Sequence, residues 1–142
     1  MTASYQTKDG ADATALLAST VDALAHTVTG SGVGLPRPSN AVQLVLNVTA
    51  ASAAGGDTLD VKVQTLIDGV TWVDVCYFTQ VLGSGGAKIH IAKLLASTVQ
   101  AMFLNAVLTA GNIRHLFGDS WRVVYTTVGT GSFTFGVTAT PM

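Results

Sequence analysis

The stretch from Asp57 to Val81, DTLDVKVQTLIDGVTWVDVCYFTQV, narrows the folds open to this chain more than any other. Leu59, Val61 and Val63 alternate with Asp60, Lys62 and Gln64. Successive side chains of a strand point to opposite faces, so this segment predicts a half-buried strand. Asp68-Gly69 follows, a pair suited to a tight turn that needs positive φ. The next run, Val70 to Phe78, is again strand-like. Two long strands folded about Asp68-Gly69 are therefore expected.

A two-residue turn would set Ile67 opposite Val70, Thr65 opposite Trp72, Val63 opposite Asp74, Val61 opposite Cys76 and Leu59 opposite Phe78. Asp74 is then the one intruder on an apolar face. A longer loop or a bulge would instead bring Val73, Val75 and Tyr77 to that face. Either way the second strand is apolar on both sides. Such a strand is expected at the centre of a sandwich, or with one face covered by another subunit.

Composition extends this to the whole chain. All eight acidic residues are Asp, and with no Glu the balance of Thr and Val favours strands over helices. The 142 residues suffice for one domain with its own core. Only 11% are charged, about half the usual share, so either the surface is Thr, Ser, Asn and Gln or a partner buries part of it. A net charge of −1 gives no electrostatic case for binding nucleic acid. Mean hydropathy is +0.48, yet no uninterrupted apolar run is long enough to span a bilayer.

In chain order, residues 1–14 are polar and aperiodic and are expected as a flexible N-terminal arm, ahead of a single β-sandwich domain over 15–142. Ala15 to Thr29 predicts one or two strands, and Pro36-Arg37-Pro38 marks a loop. Ala41 to Thr49 is a strand with Val42, Leu44, Leu46 and Val48 inward. Lys88 to Leu95 alternates, with Ile89 and Ile91 opposite Lys88 and His90. Residues 94–110 fit two periods: Leu95, Val99, Met102, Phe103 and Ala106 fall at helical spacing, while Val99, Ala101, Phe103, Asn105 and Val107 line one face of a strand. A short helix or turn is expected near residues 110–118. Ser120–Thr127 and Ser132–Thr140 are expected as strands of a second hairpin, turned at Gly129-Thr130-Gly131. The sum is an all-β, antiparallel sandwich of a jelly-roll-like kind.

The search for chemistry assigns no catalytic, cofactor-binding or metal-ligating residue. His26, His90 and His115 form no HxH, HExxH or similar spacing. The single Cys76 excludes an internal disulfide and sits in an apolar strand, where a buried thiol is expected. Asp68 is accounted for by its turn, and Asp119 is placed to cap a loop. Asp60 and Asp74 lie on neighbouring strands without the further groups a carboxylate pair requires. Trp72, Tyr77, Trp121 and Tyr125 fall within apolar alternation and are expected in the core rather than on a sugar-stacking platform. No basic start leads into an apolar block, so no export signal is read.

The segment LDVKVQTLIDGVTWVDVCYFTQV, a Gly-rich turn at Gly83-Ser84-Gly85-Gly86, and RHLFGDSWRVVYTTVGTGSFTFGVTATP follow one another in an order that resembles small β-sandwich proteins of tailed bacteriophages. The resemblance covers roughly residues 41–140 and rests on turns and alternation. It implies a virion structural protein, foremost a capsid decoration (cement) protein. Such a protein is made in the host cytoplasm, binds the major capsid protein on the outside of the assembled head, and forms a homo-oligomer, with a trimer favoured. It implies no enzyme activity, cofactor or small-molecule substrate, and it turns residues 94–107 toward strands. A carbohydrate-binding or tail-associated sandwich for host attachment is the alternative.

Overall fold

A computed structural model describes residues 13–38, 40–99 and 101–142. The described residues form ten strands and no helix: β1 (Thr14–Asp22), β2 (His26–Thr29), β3 (Ala41–Ala50), β4 (Thr58–Leu66), β5 (Trp72–Tyr77), β6 (Val81–Leu82), β7 (Lys88–Leu95), β8 (Asn112–Ile113), β9 (Ser120–Val128) and β10 (Phe133–Pro141). One sheet, here sheet A, runs β1-β10-β3-β7; the other, sheet B, runs β2-β9-β4-β5-β8, with β6 also on β4. All pairs are antiparallel.

The pairing has a simple rule once the two-residue β6 and β8 are set aside. The first strand pairs with the last, the second with the second-last, and so inward to β4 with β5. The chain thus behaves as one long antiparallel ribbon rolled into two sheets, which is the jelly-roll arrangement. The all-β sandwich expected from sequence is what forms.

Alternation along the strands builds the core. Leu44, Leu46 and Val48 of β3 and Phe133, Phe135 and Val137 of β10 face Val61 and Val63 of β4 and Trp121 and Val123 of β9. All are essentially without solvent contact. Each such apolar side chain contributes roughly 1.5–3 kcal/mol through burial. The Tyr125 ring meets Phe135 edge-on across the two sheets, with centroids 4.9 Å apart.

The structure decides one open choice and corrects other expectations. Of the two registers left open for β4 and β5, the longer loop with a bulge forms: Ile67 N donates to the Thr71 carbonyl, and Leu66 pairs with Trp72. A bulge then shifts the register, so that Gln64 pairs with Asp74 but Val63 with Cys76. The extra residue is Val75. It lets Val73, Val75 and Cys76 all bury while Asp74 turns to the outer side, away from the apolar layer. The last two strands form no hairpin, because β9 lies in sheet B and β10 in sheet A. The turn between them is an arch over the end of the sandwich, with Gly129 at φ 111°.

Among the described residues, 94–110 adopt neither of their two periods. β7 ends at Leu95, and the described residues from Ala101 to Thr109 are irregular. Near 110–118 the expected short helix or turn is a turn, at Ala110-Gly111, followed by the short β8. Residues 1–12 of the expected arm lie outside the described residues, while Thr14 already pairs with Ala139 as part of β1.

Candidate binding surface

The polar residues of the outer faces come first, because they decide which surfaces are already spent on the fold. On the outer side of sheet B, Asp74 is buried, at 4% exposure. Its carboxylate accepts from Gln64 Nε2 at 2.8 Å, from the Leu108 backbone N–H at 3.1 Å, and from Lys62 Nζ at 3.5 Å. Arg114 donates to the Asp74 carbonyl at 3.0 Å and to the Ala106 carbonyl, and its guanidinium lies 4.4 Å from the Phe103 ring centre. Residues 101–109 are thus strapped over β5 by side-chain bonds rather than by a strand ladder. The strand that reads as apolar on both sides is covered here by its own chain.

Arg122 completes this face. Its Nε donates to Gln64 Oε1 at 2.8 Å, and its guanidinium stacks 4.2 Å over Trp72. The four aromatics therefore divide. Trp121 and Tyr125 are core residues, as expected, while Trp72 and Tyr77 are half-buried on the outside of sheet B. Each of these has a cation above it, Lys62 standing 5.8 Å from the Tyr77 ring centre. Asp60 and Asp74 form no acid pair. Asp60 accepts from Gln80, and the two carboxylates flank Tyr77, whose phenol is pushed up by burial first and then by both charges.

The remaining acids hold turns. Asp68 accepts from Val70 N, Thr71 N and Thr71 Oγ1, which holds its carboxyl below the ordinary value. Asp57, which the sequence reading passed over, ties its own loop to the arch between β9 and β10. It accepts from Ser52 Oγ at 2.6 Å and from Gly131 N at 2.7 Å, and these bonds also lower its pKa. A Cβ at Gly129 would lie 1.9 Å from Asp57 Oδ1, so the GTG arch is the signal that could have found it. Asp119 meets β4 through its backbone, N–H to the Leu66 carbonyl at 2.8 Å.

The histidines are scattered. His26 does meet an acid, which the motif search did not anticipate: its Nε2 is 2.6 Å from Asp22 Oδ2. Tyr125 donates to the same oxygen at 2.7 Å, and Leu24 N to the other. Burial raises the Asp22 pKa, but these bonds outweigh it and leave it below the ordinary value. Tyr125 is pushed up to about 12, by burial and then by Asp22. This trio closes the passage from sheet A to sheet B. His115 Nδ1 accepts from Leu95 N at 2.9 Å, and His90 lies on β7. Burial pushes the Cys76 thiol up to about 12, so it is an inert core group. Among the described residues, no three His, Cys or Asp side chains come together to hold a metal.

Sheet A presents the opposite picture. Its register places Leu46 opposite His90, Leu44 opposite Ala92 and Val42 opposite Leu94. The even residues of β7 therefore face inward, and Ile89 and Ile91 face out, at 64% and 67% exposure. Ile91 continues a cross-strand row of Val45, Thr138 and Ala15. Beyond β7 the strap shows Val99, Met102, Leu104 and Val107 to solvent, each 70% exposed or more. From Ile89 to Val107 the chain thus offers an uncommon density of uncovered apolar side chains, and the described part of this stretch has only Lys93 as a charge. No family model, curated protein or solved structure matches this chain.

Proposed function

We propose that this chain is a structural virion protein, a head decoration (cement) protein that docks on the outside of an assembled capsid. The observation that carries this reading is the exposed apolar stretch of β7 and the strap. A strand that points its isoleucines outward needs a partner surface to cover them, and a chain with 11% charged residues has little else to keep it apart from one. The phage-like order of motifs over residues 41–140 supplies the kind of partner, the major capsid protein. Jelly rolls serve as capsid and lectin domains alike, so the fold is compatible and does not choose.

Work of this sort needs no catalytic residue. A protein that binds only the assembled shell stabilises that shell by mass action, and contacts repeated by symmetry add up. A homotrimer at a symmetry axis, delivered from the host cytoplasm, fits this reading. The alternative, a carbohydrate-binding or tail-associated module, draws on one observation: Trp72 and Tyr77 are part-exposed on sheet B. Arg122 and Lys62 already occupy those rings, which favours the decoration reading.

Immunogold labelling of phage particles with an antibody to this chain tests the proposal. Gold spread over heads is expected. Gold confined to tails would move the protein to attachment, and unlabelled particles in lysates rich in the protein would contradict a virion role.

A further inference from the structure

β7 ends sheet A, and no strand pairs with its outer edge among the described residues. The direction of its backbone groups can be read from two bonds. Ala96 N donates to the Asn40 carbonyl, toward β3, whereas Leu95 N donates away from β3, to His115. By alternation the N–H and C=O groups of Ile89, Ile91 and Lys93 also point away from β3. They open onto a cleft of about 530 Å³ between this edge and sheet B, walled on the far side by Cys76 to Thr79 and by Ile113. His90 lines the same cleft, and its Nε2 is buried without a hydrogen bond.

On the β7 side of the cleft the charge is one-sided, and the carboxylates beside the far wall at Tyr77 are already engaged, Asp60 by Gln80 and Asp74 by Gln64 and Lys62. From Val75 to Gly118 the sequence holds no acidic residue. Lys88 and Lys93 are both exposed, and neither has a carboxylate partner among the described residues. A second copy is the wrong occupant: two β7 edges side by side would gather four lysines and two histidines against no carboxylate.

We infer that the β7 edge accepts an extended, acidic segment of a partner protein as a fifth strand of sheet A. Main-chain bonds to Ile89, Ile91 and Lys93 would give affinity, and the lysines would select carboxylates. Alternate side chains of the guest would enter the cleft beside His90 and cover Ile89 and Ile91 outside. The inference does not depend on the partner being a capsid subunit.

The test uses the full chain and a short synthetic peptide alternating aspartate with valine, followed by amide exchange. The peptide should slow exchange at Ile89, Ile91 and Lys93 by roughly tenfold or more, and added salt should weaken the effect. Ile91→Pro removes an outward N–H while sparing the bonds to β3, and should abolish binding with the fold intact. The double variant Lys88→Glu, Lys93→Glu should shift preference to a lysine–valine peptide. Equal binding of both peptides by the native chain would overturn the inference, as would protection away from β7 or no binding at all. Protection that grows with protein concentration alone would overturn it in favour of self-pairing.

Discussion

The outer side of β4 and β5 and the outer side of β7 are both half of a strand's alternation, yet they have opposite fates. On β4 and β5 most of the outward residues are polar and engaged: Lys62 and Gln64 with Asp74, and Gln64 and Trp72 also with Arg122 of β9. On β7 the outward residues include Ile89 and Ile91, and nothing described covers them. Polar alternation here does not mark solvent, and apolar alternation does not mark core. The polar face was used to pin a strap of the same chain; the apolar face is left for something else.

The comparison can be broken at its centre first. Trp121 supports both sheets from between, so Trp121→Ala should destabilise by roughly 3–5 kcal/mol in denaturant unfolding. A loss below about 1 kcal/mol would mean that the sheets do not share this core. Asp74→Ala should cost about 3 kcal/mol, since it leaves Gln64, Lys62 and the Leu108 N–H without their buried acceptor. It should also speed amide exchange at Leu108, which a merely local polar contact would not do.

Acid should loosen the turns next. The carboxyls of Asp57 and Asp68 have folded pKa values below the ordinary 3.8. The folded state therefore binds fewer protons than the unfolded one near that pH. Their stabilisation is complete above the unfolded value and disappears as pH falls through the folded one. Urea midpoints should stay level from neutrality to about pH 5 and then decline. On the other face, Ile91→Ser should change stability by no more than about 0.5 kcal/mol, because the side chain supports nothing in the fold. Smallest of all, Cys76 should fail to react with a disulfide reagent in the native protein and react at once in denaturant.

How much of this was legible in the sequence follows from what each feature depends on. The alternation of β4, β9 and β10 is local, and it identified strands, inward faces and the all-β class. The division into sheets is not local: Gly129 to Gly131 reads as a hairpin turn but is an arch, held by Asp57 from far along the chain. The place of Asp74 depended on a bulge at Val75 that no single residue announces. For β7 the alternation was visible, but its sense was set by Leu94 and Ala92 lying opposite Val42 and Leu44. The strap shows the same limit from the other side. Its helical and strand periods are both real, yet Asp74 and Arg114 hold it in neither.

The most direct test of the central claim is amide exchange of this chain alone and with the phage heads proposed to carry it. Protection gained at Ile89, Ile91 and along the strap, with Lys62 and Gln64 unchanged, is the predicted result. Protection centred on the outer face of β4, with β7 left as open as in the isolated protein, would contradict the account.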